Sequence, residues 1–377
     1  MKILIFNWQC IKNPLGGGAE VHLQEVFQRI ATMGHEVVLY ASMYPNAKKE
    51  ETINGIKVYR QGSRHLFNFY VPFAYFFKFK KQKFDIVIDD VNKIPFYTPL
   101  YVKEPLQGIT HHMFGKSIFL EVFFPIALYV YLMERLVKPI YRKIHWIVGS
   151  PSTEKELTEW GFHKDQVTVV NYCVDHNIFR QTGVEKLSEP SIGYLGRLKK
   201  YKSVEHLLHA TKIIREKIPN IKLFIVGDGD NKQNLESLAK ELGIIDNVIF
   251  TGFVSEIDKI GYLQKMHFIV NTSSKEGWGL TVVEANACNR TVIAANVQGL
   301  RDSVIDGKTG LLYEYGNVEE LAEKIIFLFS NPNKITELEK NALEWARSFD
   351  WNVAAQKTLS ILENCIKNYS TKGQKET

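Results

Sequence analysis

Cysteine is scarce in this chain. Cys10, Cys173, Cys288 and Cys365 are far apart and form no Cys-x-x-Cys pair. That argues against a disulfide framework or a thiolate zinc site, and it fits a reducing, cytoplasmic compartment. Long apolar runs are missing as well. The run from Met1 to Trp8 is too short for a signal peptide and reads as a first strand. Val122 to Met133, the most apolar later segment, falls short of the roughly 20 residues that span a bilayer and is interrupted by Pro125, so no transmembrane helix is expected. No recognised nucleic-acid-binding module is present, and nucleic acid is not expected as a partner.

What is present is an ordinary globular composition, 45% hydrophobic and 23% charged, over 377 residues. That length suits two α/β domains better than one core. Short β-rich runs alternate with helical ones through both halves, from Lys2–Phe6 and Glu36–Tyr40 to Thr291–Ala294 and Gly310–Leu312. Such alternation predicts parallel sheets wrapped by helices. The polar stretch Asp175 to Pro190 reads as a linker between residues 1–174 and 191–350. The fold expected is therefore α/β, two Rossmann-like domains facing across a cleft. An amphipathic helix over 351–368 follows, crossing back to the N-terminal domain, and the polar tail 369–377 reads as disordered.

One stretch concentrates the chemistry: Ser273-Ser274-Lys275-Glu276-Gly277-Trp278-Gly279-Leu280-Thr281-Val282-Val283-Glu284-Ala285. It follows a predicted strand that ends at Asn271-Thr272. Gly277 and Gly279 let backbone come close to a ligand, and the apolar spacing from Leu280 onward predicts a helix start. A helix beginning at Leu280 or Thr281 offers unpaired amides and a positive dipole end to an anion, phosphate above all. Glu276 and Glu284 would bracket that turn, with neutral hydroxyls of a ribose and a sugar as their partners. The plainer alternative is a helix-starting loop whose acids only complement the dipole.

On the same predicted rim, the strand Ile192–Leu195 runs into Gly196-Arg197-Leu198-Lys199-Lys200-Tyr201-Lys202. At 4 Å and an effective dielectric near 20, a cation is worth about 4 kcal/mol to a diphosphate charge, so no metal is required. A solvated basic turn is the competing reading. In the first half, Gly16-Gly17-Gly18 lies between the first strand and first helix, either as a close approach to a ligand or as a tight turn alone. His111 and His112 end the strand Gly108–Thr110, so at least one is expected in the cleft, against a histidine satisfied in the core. Asp228-Gly229-Asp230 and Asp89-Asp90 are read as turn or capping acids rather than metal ligands.

Gly196-Arg197-Leu198 with Lys202, the Gly227-Asp228-Gly229 turn, and Glu276 and Glu284 eight positions apart occur in order. Together they resemble the retaining glycosyltransferases of the GT-B fold, family 4. The resemblance covers nearly the whole chain and is strongest in the second half. It implies that Arg197 and Lys202 hold the diphosphate of a nucleotide-sugar donor. It also implies that Glu284 binds the ribose and Glu276 the sugar hydroxyls, while backbone from Trp278 to Thr281 contacts phosphate or sugar. It favours His111 for a sugar contact, Gly16–Gly18 for donor phosphate or acceptor, and a metal-independent reaction without cofactor. Where the family has Asn-Gly-Val-Asp, this chain has Asn171-Tyr172-Cys173-Val174-Asp175, which puts the usual turn geometry in question.

The net charge of +6 sits wholly in residues 1–180, with 22 Lys and Arg against 16 Asp and Glu. Two aromatic stretches there, Phe67 to Lys83 and Ile118 to Lys143, carry lysines and arginines. They suit contact with an anionic membrane and a glycan or lipid-linked acceptor, or else helices packed on the sheet with snorkelling lysines. The rival functions are a nucleotide-sugar epimerase of the same fold and a non-catalytic nucleotide-sugar-binding subunit.

Overall fold

The computed structural model describes residues 1–92, 94–120 and 122–373. Two compact units are present: Met1–Tyr172 with Trp351–Thr377, and Cys173–Asp350. The first is built on β1 (Lys2–Phe6), β2 (Glu36–Ala41), β3 (Glu50–Ile53), β4 (Ile56–Arg60), β5 (Ile86–Val91), β6 (Leu106–Thr110), β7 (His145–Val148) and β8 (Val167–Val169). Their order in the sheet is β3-β4-β2-β1-β5-β6-β7-β8, parallel except for the β3–β4 pair. The second unit holds β9 (Ser191–Leu195), β10 (Lys222–Val226), β11 (Val248–Gly252), β12 (Phe268–Asn271), β13 (Val292–Ala295) and β14 (Gly310–Tyr313), all parallel in the order β11-β10-β9-β12-β13-β14.

Central strands such as β5 and β9 are buried along their whole length, as expected when helices cover both faces of a parallel sheet. In each unit the chain starts mid-sheet, builds outward to one edge, then crosses to the other side of its first strand. The order therefore reverses between β1 and β5 and between β9 and β12. Loops leaving the carboxyl ends of strands at such a reversal splay apart and leave a crevice for ligands.

Of the antiparallel β3–β4 hairpin, the sequence predicts a strand at Lys57–Tyr59, within β4, but neither β3 nor the antiparallel pairing. Its turn is Asn54-Gly55, with φ of 45° and 84°, the left-handed pair that a two-residue hairpin needs. The stretch read as a linker is a strap on the second unit: Gln264 Oε1 accepts from Thr182 N at 2.9 Å and Oγ1 at 2.8 Å, Leu187 N donates to Lys265 O, and Lys186 pairs with Glu339 at 2.7 Å. Cys173, where the family has glycine, keeps φ outside the left-handed region.

The last helix, Trp351–Gly373, belongs to the first unit. Asn352 accepts from Arg29 at 3.1 Å, and Lys357 donates to Val169 O at 2.9 Å. The disordered tail expected from Tyr369 onward is corrected as far as Gly373: helix continues, and the Tyr369 hydroxyl bonds Lys103 O. An aromatic anchor outweighs the polar composition there. Residues 374–377 lie outside the described residues.

Candidate active site

At the β9/β12 reversal the two loops are laced together. Tyr201 O accepts from Ser274 N at 2.8 Å and Ser274 Oγ at 2.9 Å, while Thr272 Oγ1 donates to Lys202 O at 2.8 Å. Backbone bonds Leu198 N to Asp228 O and Asn231 N to Leu198 O tie the same loop to the turn after β10. This frame brings Lys202 and Glu276 into a direct ion pair, and Glu276 Oε1 also accepts from Ser273 Oγ at 2.7 Å. Both side chains are largely buried. Burial opposes the Lys202 charge, but the Glu276 carboxylate outweighs it and holds Lys202 protonated far above the neutral range. Arg197 lies on the same loop with its side chain exposed.

The helix after β12 starts at Leu280 and runs to Ala287, capped by Gly279 in the left-handed region at φ 86° with no side-chain cap and no acid in its first turn. A Cβ at Gly279 would lie 2.8 Å from Leu300. Glycine is required on both counts. Gly277, Leu280 and Thr281 are half-buried on this turn, and Asn271 Oδ1 accepts from Ser273 N at 3.2 Å. Trp278 is 3% exposed, its ring packed edge-on against Phe349 at 5.1 Å. It braces the loop from inside.

Glu284 does not join the Lys202–Glu276 pair. Its carboxylate, 5% exposed, engages Lys259 of the helix Glu256–Lys265 at 2.6 Å. Burial pushes the Glu284 carboxyl up, and Lys259 pulls it back toward ionisation. Sequence reasoning missed Lys259. It also missed Gly299, in the loop after β13, where a Cβ would sit 2.3 Å from Glu276 O while Gln298 O accepts from Glu276 N at 3.2 Å.

The remaining candidates lie in the first unit. Gly16, Gly17 and Gly18 lead into the helix Gly18–Thr32, and Glu20 reaches back to accept from Gly17 N at 2.6 Å. Asn92 bridges the β1/β5 reversal, donating to Asn7 Oδ1 at 2.7 Å and to Glu20 Oε1 at 3.2 Å. His111, buried just beyond β6, has Nε2 3.0 Å from Asp90 Oδ1 and Nδ1 bonded to the Tyr172 hydroxyl. The His22 ring packs on both His111 and Tyr172, and burial together with His111 lowers its pKa. His112 packs on Phe114 instead.

The turn or capping role expected for Asp89-Asp90 is corrected: both lie inside β5 and are buried. Asp89 Oδ2 accepts from Thr98 Oγ1 at 2.7 Å and Tyr141 OH at 2.5 Å. Burial raises its pKa to about 6, with those hydrogen bonds opposing. A raised carboxyl pKa in the folded state means that stability falls as pH climbs from about 4 to about 6, then levels. Comparing urea melts of the protein and Asp89→Asn should show the wild type losing on the order of 2 kcal/mol relative to the variant across that window. In the other pair, Asp228 Oδ1 accepts from Gly229 N at 2.7 Å and Asp230 pairs with Lys199 at 2.5 Å. Among the described residues no cluster of His, Cys, Asp or Glu is arranged to hold a metal ion.

Two such doubly wound units define the GT-B class. Over 97% of its length the chain matches the sucrose-phosphate synthase of Thermosynechococcus elongatus, with TM-score 0.83, 21% identity and 99% of that chain covered. Anabaena HepE, solved with UDP and glucose, matches over 97% of this chain and 100% of its own at TM-score 0.75 and 18% identity. Residues 16–178 match Glycosyltransferase Family 4 and residues 175–345 match Glycosyl transferases group 1. The chain belongs to this family of glycosyltransferases. A glycosyltransferase of Methanocaldococcus jannaschii is 26% identical, covering 97% of this chain and 99% of its own length. The chain spans about half the length of several other curated relatives.

Proposed function

We propose that this chain transfers a sugar, with retention and without a metal, from a nucleoside-diphosphate donor to a hydroxyl of a glycan or lipid-linked acceptor. The observation that carries the reading is the half-buried Lys202–Glu276 pair at the β9/β12 reversal, next to a helix start with no acid in its first turn. HepE, the neighbour solved with UDP and glucose, supports the donor class.

In this reading Arg197, Lys202 and the amides at Leu280 and Thr281 stabilise the negative charge that builds on the departing diphosphate. The bond from the anomeric carbon to the phosphate oxygen breaks, and the acceptor oxygen attacks the same face. Its proton passes to the leaving phosphate. Glu276 serves twice, positioning Lys202 and accepting hydrogen bonds from sugar hydroxyls. Glu284, charge-compensated by Lys259, is assigned to the ribose, and His111, oriented by Asp90 and Tyr172, to the transferred sugar. Gly16–Gly18 are assigned to donor phosphate or acceptor.

A thermal-shift panel of UDP-, GDP-, ADP- and dTDP-sugars tests the donor site. A ligand at about 100 times its dissociation constant adds about 2.7 kcal/mol of stability, a clear rise in melting temperature. A flat panel overturns the reading. A sugar altered without any acceptor would instead mark an epimerase, and binding without turnover a non-catalytic subunit.

A further inference from the structure

The two aromatic stretches of the first unit divide their aromatic side chains between the core and solvent. The helix Phe67–Ala74 and the turn Tyr75–Phe79 after it put Phe67, Val71, Ala74, Tyr75 and Phe79 into the core. The helix Phe124–Arg135 contributes Ala127 and Val130 to that same core. Their outer faces are joined where Asn68 Nδ2 donates to the Tyr129 hydroxyl at 3.2 Å. On those faces Phe73 is 66% exposed, Phe77 80%, Phe123 75% and Phe124 63%, and the Phe73 and Phe77 rings stack with each other. Among the described residues nothing covers this apolar outward side, and an exposed apolar patch of this kind marks an interaction surface.

Charge identifies that partner. Residues 52–84 contain no Asp or Glu, yet Lys80, Lys81 and Lys83 are exposed directly after the first aromatic stretch. Between 122 and 143 the one acid is Glu134, which is buried and accepts from Phe114 N at 2.7 Å and Gly115 N at 2.8 Å. Exposed Arg135, Lys138, Arg142 and Lys143 follow it uncompensated along the sequence. A second copy docking symmetrically on this face would set these cations against their own equivalents, at a cost of like-charge contact. Exposed aromatic side chains followed along the chain by exposed lysine and arginine instead suit an anionic bilayer, which offers acyl chains to the first and phosphates to the second.

We propose that these outer faces form a docking surface for an anionic lipid bilayer, with Phe73, Phe77, Phe123 and Phe124 entering the interface and Lys80, Lys81 and Lys83 meeting the headgroups. The surface is separate from the residues assigned to the donor, so its test can fail while the transfer reading stands. The test is co-sedimentation of the full chain with vesicles of equal parts phosphatidylglycerol and phosphatidylcholine, against pure phosphatidylcholine vesicles. The protein should follow the anionic vesicles and be released by salt. Phe77→Ser with Phe123→Ser should weaken this binding about tenfold or more. Lys80→Gln, Lys81→Gln and Lys83→Gln together should weaken it at least about fivefold. Both variants should keep the wild-type melting temperature, since the altered side chains are exposed. The proposal is overturned if the wild type stays in the supernatant, if its binding ignores lipid charge or salt, or if the phenylalanine variant sediments like the wild type. A wild-type dimer abolished in the phenylalanine variant, with no vesicle binding, would overturn it in favour of a second copy.

Discussion

Lys202→Ala is expected to lower kcat/KM for sugar transfer by about a thousandfold, the equivalent of about 4 kcal/mol for one cation near a diphosphate. The size follows from where the ammonium is held. Lys202 sits on the loop leaving β9, fixed by Thr272 Oγ1 on its carbonyl and by Glu276 on its ammonium. Such preorganisation spares the transition state the cost of gathering a charge from solvent. Its protonation is secure as well: a lysine whose folded pKa is raised stays charged until the pH passes that higher value, so the cation is present throughout the neutral range.

The pair also gives a way to separate the two duties assigned to Glu276. In Lys202→Ala the carboxylate is left without its cation, close to where phosphate would bind, and adds repulsion to the loss. Glu276→Gln keeps an acceptor for Ser273 Oγ while releasing Lys202. If Glu276 only positions Lys202, the double variant should be no worse than Lys202→Ala, and the cycle should show strong coupling. If Glu276 also holds the sugar, Glu276→Gln alone should raise KM for the donor and lower kcat, and the double variant should be worse than either. Lys202→Ala retaining activity within a few fold of wild type would remove Lys202 from the diphosphate site.

How much of this was legible beforehand depends on the range of the interaction. The parallel sheets follow from local alternation of apolar runs, and the helix start at Leu280 from two glycines followed by helical spacing. Those signals lie within one turn or one strand. The β3–β4 hairpin was readable too, since Asn54-Gly55 between two short β-rich runs is a strong turn signal. The partners of the site acids were not readable. Lys259 comes from a helix 25 positions before Glu284, and nothing in either segment fixes which lysine of that helix faces β12's helix. Asp89 and Asp90 looked like turn acids because buried carboxylates are rare in strands. Only the convergence of Thr98 and Tyr141 on one, and of His111 on the other, accounts for them. Trp278 was ambiguous for the same reason: its neighbour Phe349 is remote in sequence.

Gly299→Ala is the second large effect, and it tests whether the Glu276 loop must sit where it does. Gly299 has φ 81°, and a Cβ there would meet Glu276 O at 2.3 Å and Glu276 C at 2.7 Å, both backbone atoms that no rotamer can move aside. Two costs are therefore combined: a left-handed conformation worth about 1–2 kcal/mol for alanine, and displacement of packed backbone worth about 1–3 kcal/mol more. Gly307 separates them. Its φ is 70°, but nothing lies within 4 Å of its Cβ position, so Gly307→Ala pays the first cost alone. Urea melts should show Gly299→Ala losing more stability than Gly307→Ala by about the displacement cost. Transfer should fall about a hundredfold in Gly299→Ala, since shifting a positioning contact by about 1 Å has that effect, and should stay near wild type in Gly307→Ala. Equal stability and equal activity in the two variants would show that the Glu276 loop yields freely, and that the ion pair to Lys202 does not depend on its backbone being held.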